Sequence, residues 1–324
     1  MNQRFFDKVV EIDRRSFLGA AAGTAVLASM PGMVKKAFAG QPTAGTALPV
    51  GDFTVTPLFD GPTNFPLSLF RGADEATMLK VAGVQPIPGA FNVFLIRHGQ
   101  ERFLVDTGTG ALLPGRTGQL PLCLADAQTL PADIGKIFIT HLHADHAGGL
   151  VKDGKPAFPN ATVYMSQTEY GYWTSDEAMR RAPQRVRDLS PQIREILDIV
   201  EQNRPIIRFT SGDRVFPNLT SVALPGHTPG HTGYVLESRG KRLFFAADLL
   251  HGAALQFPRP DITIDFDVDQ PMAGKTRLRT FRQLVEEKTP LPIACVHVPF
   301  PGVGLLQRAG NGYRLTAWNG GTVT

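Results

Sequence analysis

The chain has little that staples, spans or repels. Two cysteines in 324 residues exclude a disulfide scaffold and any zinc module built on three or four thiolates. Beyond the first 39 residues no run of about 18 consecutive apolar side chains occurs, so no internal transmembrane helix is expected. Charge of one sign is also scarce. The formal net charge is +4, but the first 39 residues carry six basic and three acidic side chains, which leaves 27 against 26 in the rest. That near-neutral body gives no electrostatic reason to expect a nucleic acid or a membrane as partner. With 43% hydrophobic and 19% charged residues, disorder is excluded as the main state. No internal repeat and no low-complexity linker divides the remainder, so one domain over residues 40–324 is the economical reading.

The first 39 residues read as an address. Asp13-Arg14-Arg15-Ser16-Phe17-Leu18 precedes a mildly apolar run to Met30, followed by Lys35, Lys36 and the small-x-small triplet Ala37-Phe38-Ala39. An arginine pair ahead of a weakly hydrophobic stretch is the pattern of a twin-arginine export signal, which implies a periplasmic or secreted protein. Such substrates cross the membrane folded. Folding would then occur in a reducing compartment, and Cys123 and Cys295 are expected as buried free thiols.

Strand-like runs rich in β-branched and aromatic residues alternate with helical patterns. The strands are expected at 53–59, 90–97, 102–106, 136–140, 162–165, 219–224, 232–237, 242–247 and 293–297, with a hairpin turning at His98-Gly99-Gln100. Helices are expected at 121–129, 166–175, 190–203 and 272–287. The Pro-rich segments 61–89 and 252–271 read as long loops over a site.

The histidines carry the chemistry. His141-Leu142-His143-Ala144-Asp145-His146 follows the strand ending at Thr140 and offers three imidazoles and a carboxylate within six residues. Imidazole and carboxylate suit zinc and other borderline divalent metals. Downstream, Gly226-His227-Thr228-Pro229-Gly230-His231, then Asp248, then Cys295-Val296-His297, each follow an apolar strand, and Asp106 has the same placement. Spacing alone does not choose between His227 and His231 as a ligand.

The HxHxDH motif with a downstream Gly-His, Asp and His resembles the metallo-β-lactamase superfamily. The resemblance covers most of residues 50–324. It implies an α/β fold, an αββα sandwich of two mixed β-sheets flanked by helices, with a two-metal site. It further implies that His141, His143 and His227 bind one metal and that Asp145, His146 and His297 bind the other. Asp248 would bridge them, with Asp106 and His231 behind the ligands. Two divalent cations are then the expected cofactors, zinc first, with manganese, cobalt or iron as alternatives. A hydroxide between the metals would be the nucleophile.

Within the superfamily the bridging Asp248 argues against β-lactamase activity, and His143 against flavo-diiron proteins. The intact set Asp145, His146 and His297 argues against a one-iron persulfide dioxygenase. The tail lacks the basic glutathione-binding region of glyoxalase-type thioesterases. Phe158-Pro159-Asn160-Ala161, His227-Thr228-Pro229-Gly230-His231-Thr232, Gln256-Phe257, His297-Val298-Pro299-Phe300-Pro301-Gly302 and Gly312-Tyr313-Arg314 resemble the branch of methyl parathion hydrolases and their lactonase relatives. That branch implies an apolar pocket formed by Phe70, Leu112, Trp173, His251, Ile264 and Phe266. His251, Ile264 and Phe266 match its lactonase pattern, which makes His251 a candidate catalytic residue beside Asp145 and Asp248. The expected function is a lactonase or arylesterase acting on small apolar or aryl lactones. Organophosphate hydrolysis is the alternative. The partner is a small-molecule substrate, and the branch's common state suggests a homodimer.

Overall fold

The computed structural model describes residues 44–113, 115–318 and 320, and the segment expected to be an export leader, with Arg14 and Arg15, lies outside them. Two seven-stranded sheets each run in strict chain order. The first contains β1 (Leu48–Val50), β2 (Phe53–Phe65), β3 (Ile87–His98), β4 (Glu101–Val105), β5 (Lys136–Phe138), β6 (Thr162–Ser166) and β7 (Ile207–Phe209). The second contains β8 (Arg214–Phe216), β9 (Leu219–Ala223), β10 (Thr232–Ser238), β11 (Lys241–Ala247), β12 (Ile293–Cys295), β13 (Val303–Ala309) and β14 (Gly312–Ala317). β1 to β4 are antiparallel, whereas β4 to β7 are parallel. In the second sheet only the β11–β12 pair is parallel.

Parallel neighbours need crossovers, and these cover the outer faces. On the first sheet they are α2 (Leu120–Asp126), the short α3 (Ala144–Ala147), α4 (Gln167–Thr174), α5 (Asp176–Arg181) and α6 (Gln184–Asn203). On the second sheet the crossover is α8 (Gln270–Glu286). The central strands β3, β4, β5 and β11 are buried on both faces over much of their length and are apolar there at consecutive positions. Phe94, Ile96, Phe103, Val105 and Phe138 meet Tyr234, Leu236, Leu243 and Phe245 between the sheets. Val93, Leu95, Leu104 and Ile137 point the other way, under the helices. Phe244, Ile293 and Cys295 likewise face Phe281 and Leu284 of α8. Each such buried apolar side chain contributes about 1.5–3 kcal/mol. The arrangement is the expected αββα sandwich, and Cys123 and Cys295 are buried free thiols. No described helix is long and apolar enough to cross a membrane.

The segments read as loops are more ordered than their prolines suggest. β2 runs on to Phe65 and pairs with β3 from Ile87, with Pro62 opposite Ala90 and Pro88 opposite Asn64. β1 pairs only with residues 53–55 and β4 only with 94–98, so both prolines sit where the outer edge of their strand is free. The connection holds α1 (Glu75–Ala82), capped by the Asp74 carboxylate, which accepts from the Thr77 N–H at 2.8 Å. Its Phe70–Arg71 pairs with Thr263–Ile264 beyond α7 (Ala253–Gln256). These two segments share a small core of Phe65, Leu67, Phe70, Met78, Ile87, Leu255, Ile262 and Ile264. α6 begins at Gln184, not near Ser190, with Pro191 inside it. Proline favours the first turn of a helix, so Pro191 reads as a start when it is an interior residue. The short edge strands β1, β7 and β8 and the closing hairpin β13–β14 add to those read from the sequence.

Candidate metal centre

At one edge of the sandwich the strand ends of the two sheets converge. β4 delivers Asp106, β5 delivers His141 to His146, the β9–β10 connection delivers His227 and His231, β11 delivers Asp248 and β12 delivers His297. Asp106 and Ala247 hold left-handed backbone (φ 62° and 45°), turning the chain sharply as it leaves β4 and β11. Cross-sheet bonds fix the edge. Thr232 N–H donates to Thr140 O at 3.0 Å, Tyr234 OH to Ile139 O at 2.6 Å, and Asn92 Nδ2 to Val298 O at 2.8 Å.

The side chains form two groups sharing one carboxylate: His141, His143, His227 and Asp248, and Asp145, His146, Asp248 and His297. Within each group the ligand atoms lie within 4.8 Å of one another. His143 Nδ1 is 3.0 Å from His141 Nε2 and 2.9 Å from His227 Nε2. Asp248 Oδ2 is 3.2 Å from His227 Nε2 and 2.9 Å from His297 Nε2, and Asp145 Oδ2 is 3.3 Å from His297 Nε2. His146 Nε2 and Asp248 Oδ1 are buried and 3.1 Å apart, yet neither has a hydrogen-bond partner. A cation would satisfy both. Burial holds the imidazoles of His141 and His143 well below their ordinary range, leaving neutral rings with free lone pairs. Burial alone would raise the Asp248 carboxyl, but the imidazoles of His146, His297 and His251 outweigh it and keep it ionised. Four carboxylates lie against these imidazoles: Asp106, Asp145, Asp248 and Asp267. Acidic groups packed among imidazoles suit two dications. The donor set therefore fits the expected pair of metals.

Behind these atoms stands a second ring. Asp106 Oδ2 lies 2.8 Å from His146 Nδ1, while its two oxygens accept from Thr140 N–H and Oγ1 at 2.8 and 2.9 Å. Such a carboxylate fixes the proton on Nδ1 and frees Nε2 as a ligand. His231 takes a different role from His227. Its Nδ1 bonds Leu224 O at 2.9 Å and its Nε2 accepts from Asp248 N–H at 3.2 Å, so it holds the backbone of Asp248. Burial, followed by the charge of His227, pushes it down to about 3. His251 Nε2 is 3.1 Å from Asp248 Oδ2, and its backbone N–H donates to Gln256 Oε1 at 2.7 Å.

Two neighbours of this ring, Glu169 and Asp267, carried no signal in the sequence, where they look like ordinary acidic residues; Gln256 entered only through the resemblance, with no role attached. Asp267 Oδ1 lies 2.9 Å from His227 Nδ1, although 40 residues separate them.

Above the centre lies a cavity of about 900 Å³, walled by Thr63, Phe65, Phe91, Leu113, His251, Phe266 and the first turns of α6. His251 and Phe266 line it as the sequence suggests, but four expected wall residues do not. Phe70 and Ile264 pair with each other in the small core behind the wall. Leu112 packs against the outer core, and its neighbour Leu113 faces the cavity. Trp173 is fully buried behind His143, its ring edge-on at 5.9 Å. The helix carrying it turns the indole inwards because Nε1 donates to Glu169 Oε1 at 2.7 Å.

A sandwich with paired His/Asp clusters at the ends of its strands defines a class, the metal-dependent hydrolases of the αββα type. Residues 87–289 match the model of the metallo-β-lactamase superfamily, and the chain belongs to that family. Among solved structures it is similar to the hydrolase AbOPH of the β-lactamase superfamily, with TM-score 0.80, 28% identity and coverage of 85% of this chain and 97% of that one. It is also similar to AidC, a dizinc quorum-quenching lactonase, with TM-score 0.77, 28% identity and coverage of 85% and 98%. Among curated relatives, the acyl-coenzyme A thioesterase MBLAC2 of Bos taurus is 28% identical over 174 residues, 51% of this chain and 60% of that protein. The N-acyl homoserine lactonase AttM of Azorhizobium caulinodans is 30% identical over 127 residues, 35% and 41%. The matches thus span about 60% or less of these curated relatives. Lactonases are among both sets.

Proposed function

We propose that the chain is a dinuclear metal-dependent hydrolase that opens small apolar or aryl lactones, a lactonase or arylesterase. The cavity carries this reading. Its floor is the His/Asp centre and its near walls are the rings of Phe65, Phe91 and Phe266, a surface suited to a flat, uncharged ester. His141, His143 and His227 would hold one cation, Asp145, His146 and His297 the other, and Asp248 both. Two divalent ions there supply Lewis acidity and lower the pKa of water towards neutrality. Zinc is the first choice, and manganese, cobalt or iron suit the same donors. The chain's own part is to fix these donors and exclude bulk water. Asp248 is gripped from two sides, by the His231 ring at its N–H and by His251 at Oδ2. With Nε2–H donating, His251 orients the shared carboxylate and narrows the cavity beside it. Phe266 packs against that ring at 5.8 Å, so the space over the centre favours a planar carbonyl over a tetrahedral phosphotriester.

The test is hydrolysis by purified protein with metals restored, comparing kcat/KM for dihydrocoumarin and methyl parathion. Preference for the lactone is expected, and His251→Leu should shift the ratio towards the phosphotriester. The reverse preference in the wild type would overturn the lactone reading in favour of an organophosphate hydrolase. Turnover of neither, with two metals bound per chain, would overturn the substrate class.

A further inference from the structure

Glu169 has no part in this chemistry, yet its carboxylate is fully buried and accepts four hydrogen bonds. Leu142 N–H and Trp173 Nε1–H donate to Oε1 at 2.9 and 2.7 Å. Thr228 Oγ1–H and Gly230 N–H donate to Oε2 at 2.6 and 3.1 Å. Leu142 separates His141 from His143, and Thr228 follows His227. One oxygen therefore grips the loop of the first two histidines, and the other grips the loop of the third. The loops leave different sheets. Their approach is tight: a Cβ on Gly230 would stand 2.2 Å from Glu169 N, so only glycine fits there. The other half of the centre is held separately, His146 by Asp106 and His297 by Ala90 O at 3.2 Å.

We infer that Glu169 is a positioning residue for the three-histidine half of the centre. It clamps two loops from opposite sheets so that His141, His143 and His227 converge, and thereby sets the affinity of that half for its cation. The inference rests on the metal-centre reading above. Without the carboxylate, four donors in a dry interior lose their acceptor, and the loops must part to find others. The half containing Asp145, His146 and His297 keeps its own supports.

Cobalt(II) titration of metal-stripped protein tests this, read by the visible absorption of the bound ion, with circular dichroism as the check on folding. Glu169→Gln keeps an acceptor for Leu142 and Trp173 but sets an amide NH₂ against Gly230 N–H. Thr228→Val removes a single donor. Wild type should take up two ions. Glu169→Gln should hold one ion as tightly as wild type and the other about ten- to a hundred-fold more weakly, with an altered spectrum for that ion. Thr228→Val should show a smaller loss in the same half. Two ions bound by Glu169→Gln with wild-type affinity and spectra would overturn the clamp. So would equal weakening of both, which marks a general loss of structure. If Glu169→Gln does not fold, Thr228→Val decides by the same criteria. Wild type that takes up no cobalt would overturn the metal-centre reading and the clamp with it, a result distinct from two tight ions in both proteins.

Discussion

Asp267→Asn probes the link between protonation and metal at the three-histidine half. In the metal-free protein the His227 ring lies between two carboxylates, with Nδ1 2.9 Å from Asp267 Oδ1 and Nε2 3.2 Å from Asp248 Oδ2. Burial works against the imidazolium, but hydrogen bonds to Asp248 and Asp267 outweigh it and raise His227 from 6.5 to about 9. A folded-state pKa above the unfolded one stabilises the fold in full below 6.5, and that stability is lost as the pH rises through about 9. At roughly 1.4 kcal/mol per pK unit the loss across this window is about 3 kcal/mol. Asp267 is one of two such partners, so Asp267→Asn should remove on the order of half of it, about 1–2 kcal/mol. The same carboxylate, held low against burial by His227 and Arg277, adds stability above the usual carboxylate range that disappears as the pH falls. Urea unfolding of chelator-stripped wild type and Asp267→Asn at pH 6 and pH 9.5 measures the difference. The wild type should lose about 3 kcal/mol between the two and the variant about half as much. Zinc displaces the proton from His227, so saturating metal should flatten both curves. Equal slopes in the two metal-free proteins would refute the pairing of His227 with Asp267 as the cause.

Two further outcomes are expected. Asp106→Asn preserves shape and tolerates the left-handed backbone, but its amide faces His146 Nδ1 and favours the tautomer protonated on Nε2. Zinc affinity of the half containing His146 should fall about ten- to a hundred-fold, measured by competition with a chromophoric chelator, with little change in the unfolding midpoint. Replacing Arg14 and Arg15 by Lys in the full chain should retain the protein inside the cytoplasm. Cell fractionation checks this, and undiminished export of the double variant would exclude a twin-arginine leader.

The parts legible in the sequence are those in which chemistry is written locally. His141 to His146 lie within six residues, so their convergence needs only one strand end, and Asp248 and His297 announce themselves by following apolar strands. The central strands were equally readable, because strands buried on both faces are rich in β-branched and aromatic residues, whereas their arrangement as a sandwich followed only from the family resemblance. Contacts across the two sheets left no local trace. Glu169 reaches Leu142 across 27 residues and Gly230 across 61. Asp267 looks like any acidic loop residue until the fold sets it against His227. Trp173 was misplaced for the same reason: an aromatic residue on a helix near the site could turn outwards to the cavity or inwards, and a distant carboxylate decides. Pro62 and Pro88 hid a long hairpin because their freedom from pairing depends on where neighbouring strands stop.

The strict chain order of both sheets bears on how the protein comes to exist. Each sheet can zip along its own stretch of chain, through contacts between successive strands, before the other is complete. The centre cannot. Asp106 and the residues from His141 to His146 belong to the earlier sheet, whereas His227, Asp248 and His297 belong to the later one. Neither half of the polypeptide owns a full ligand set, since His227 and His297 must arrive from the later half and Asp248 serves both groups. A metal ion at this edge would therefore act as a rivet between two independently assembled plates. It could be driven only once they are aligned, and it would hold the alignment on which turnover depends.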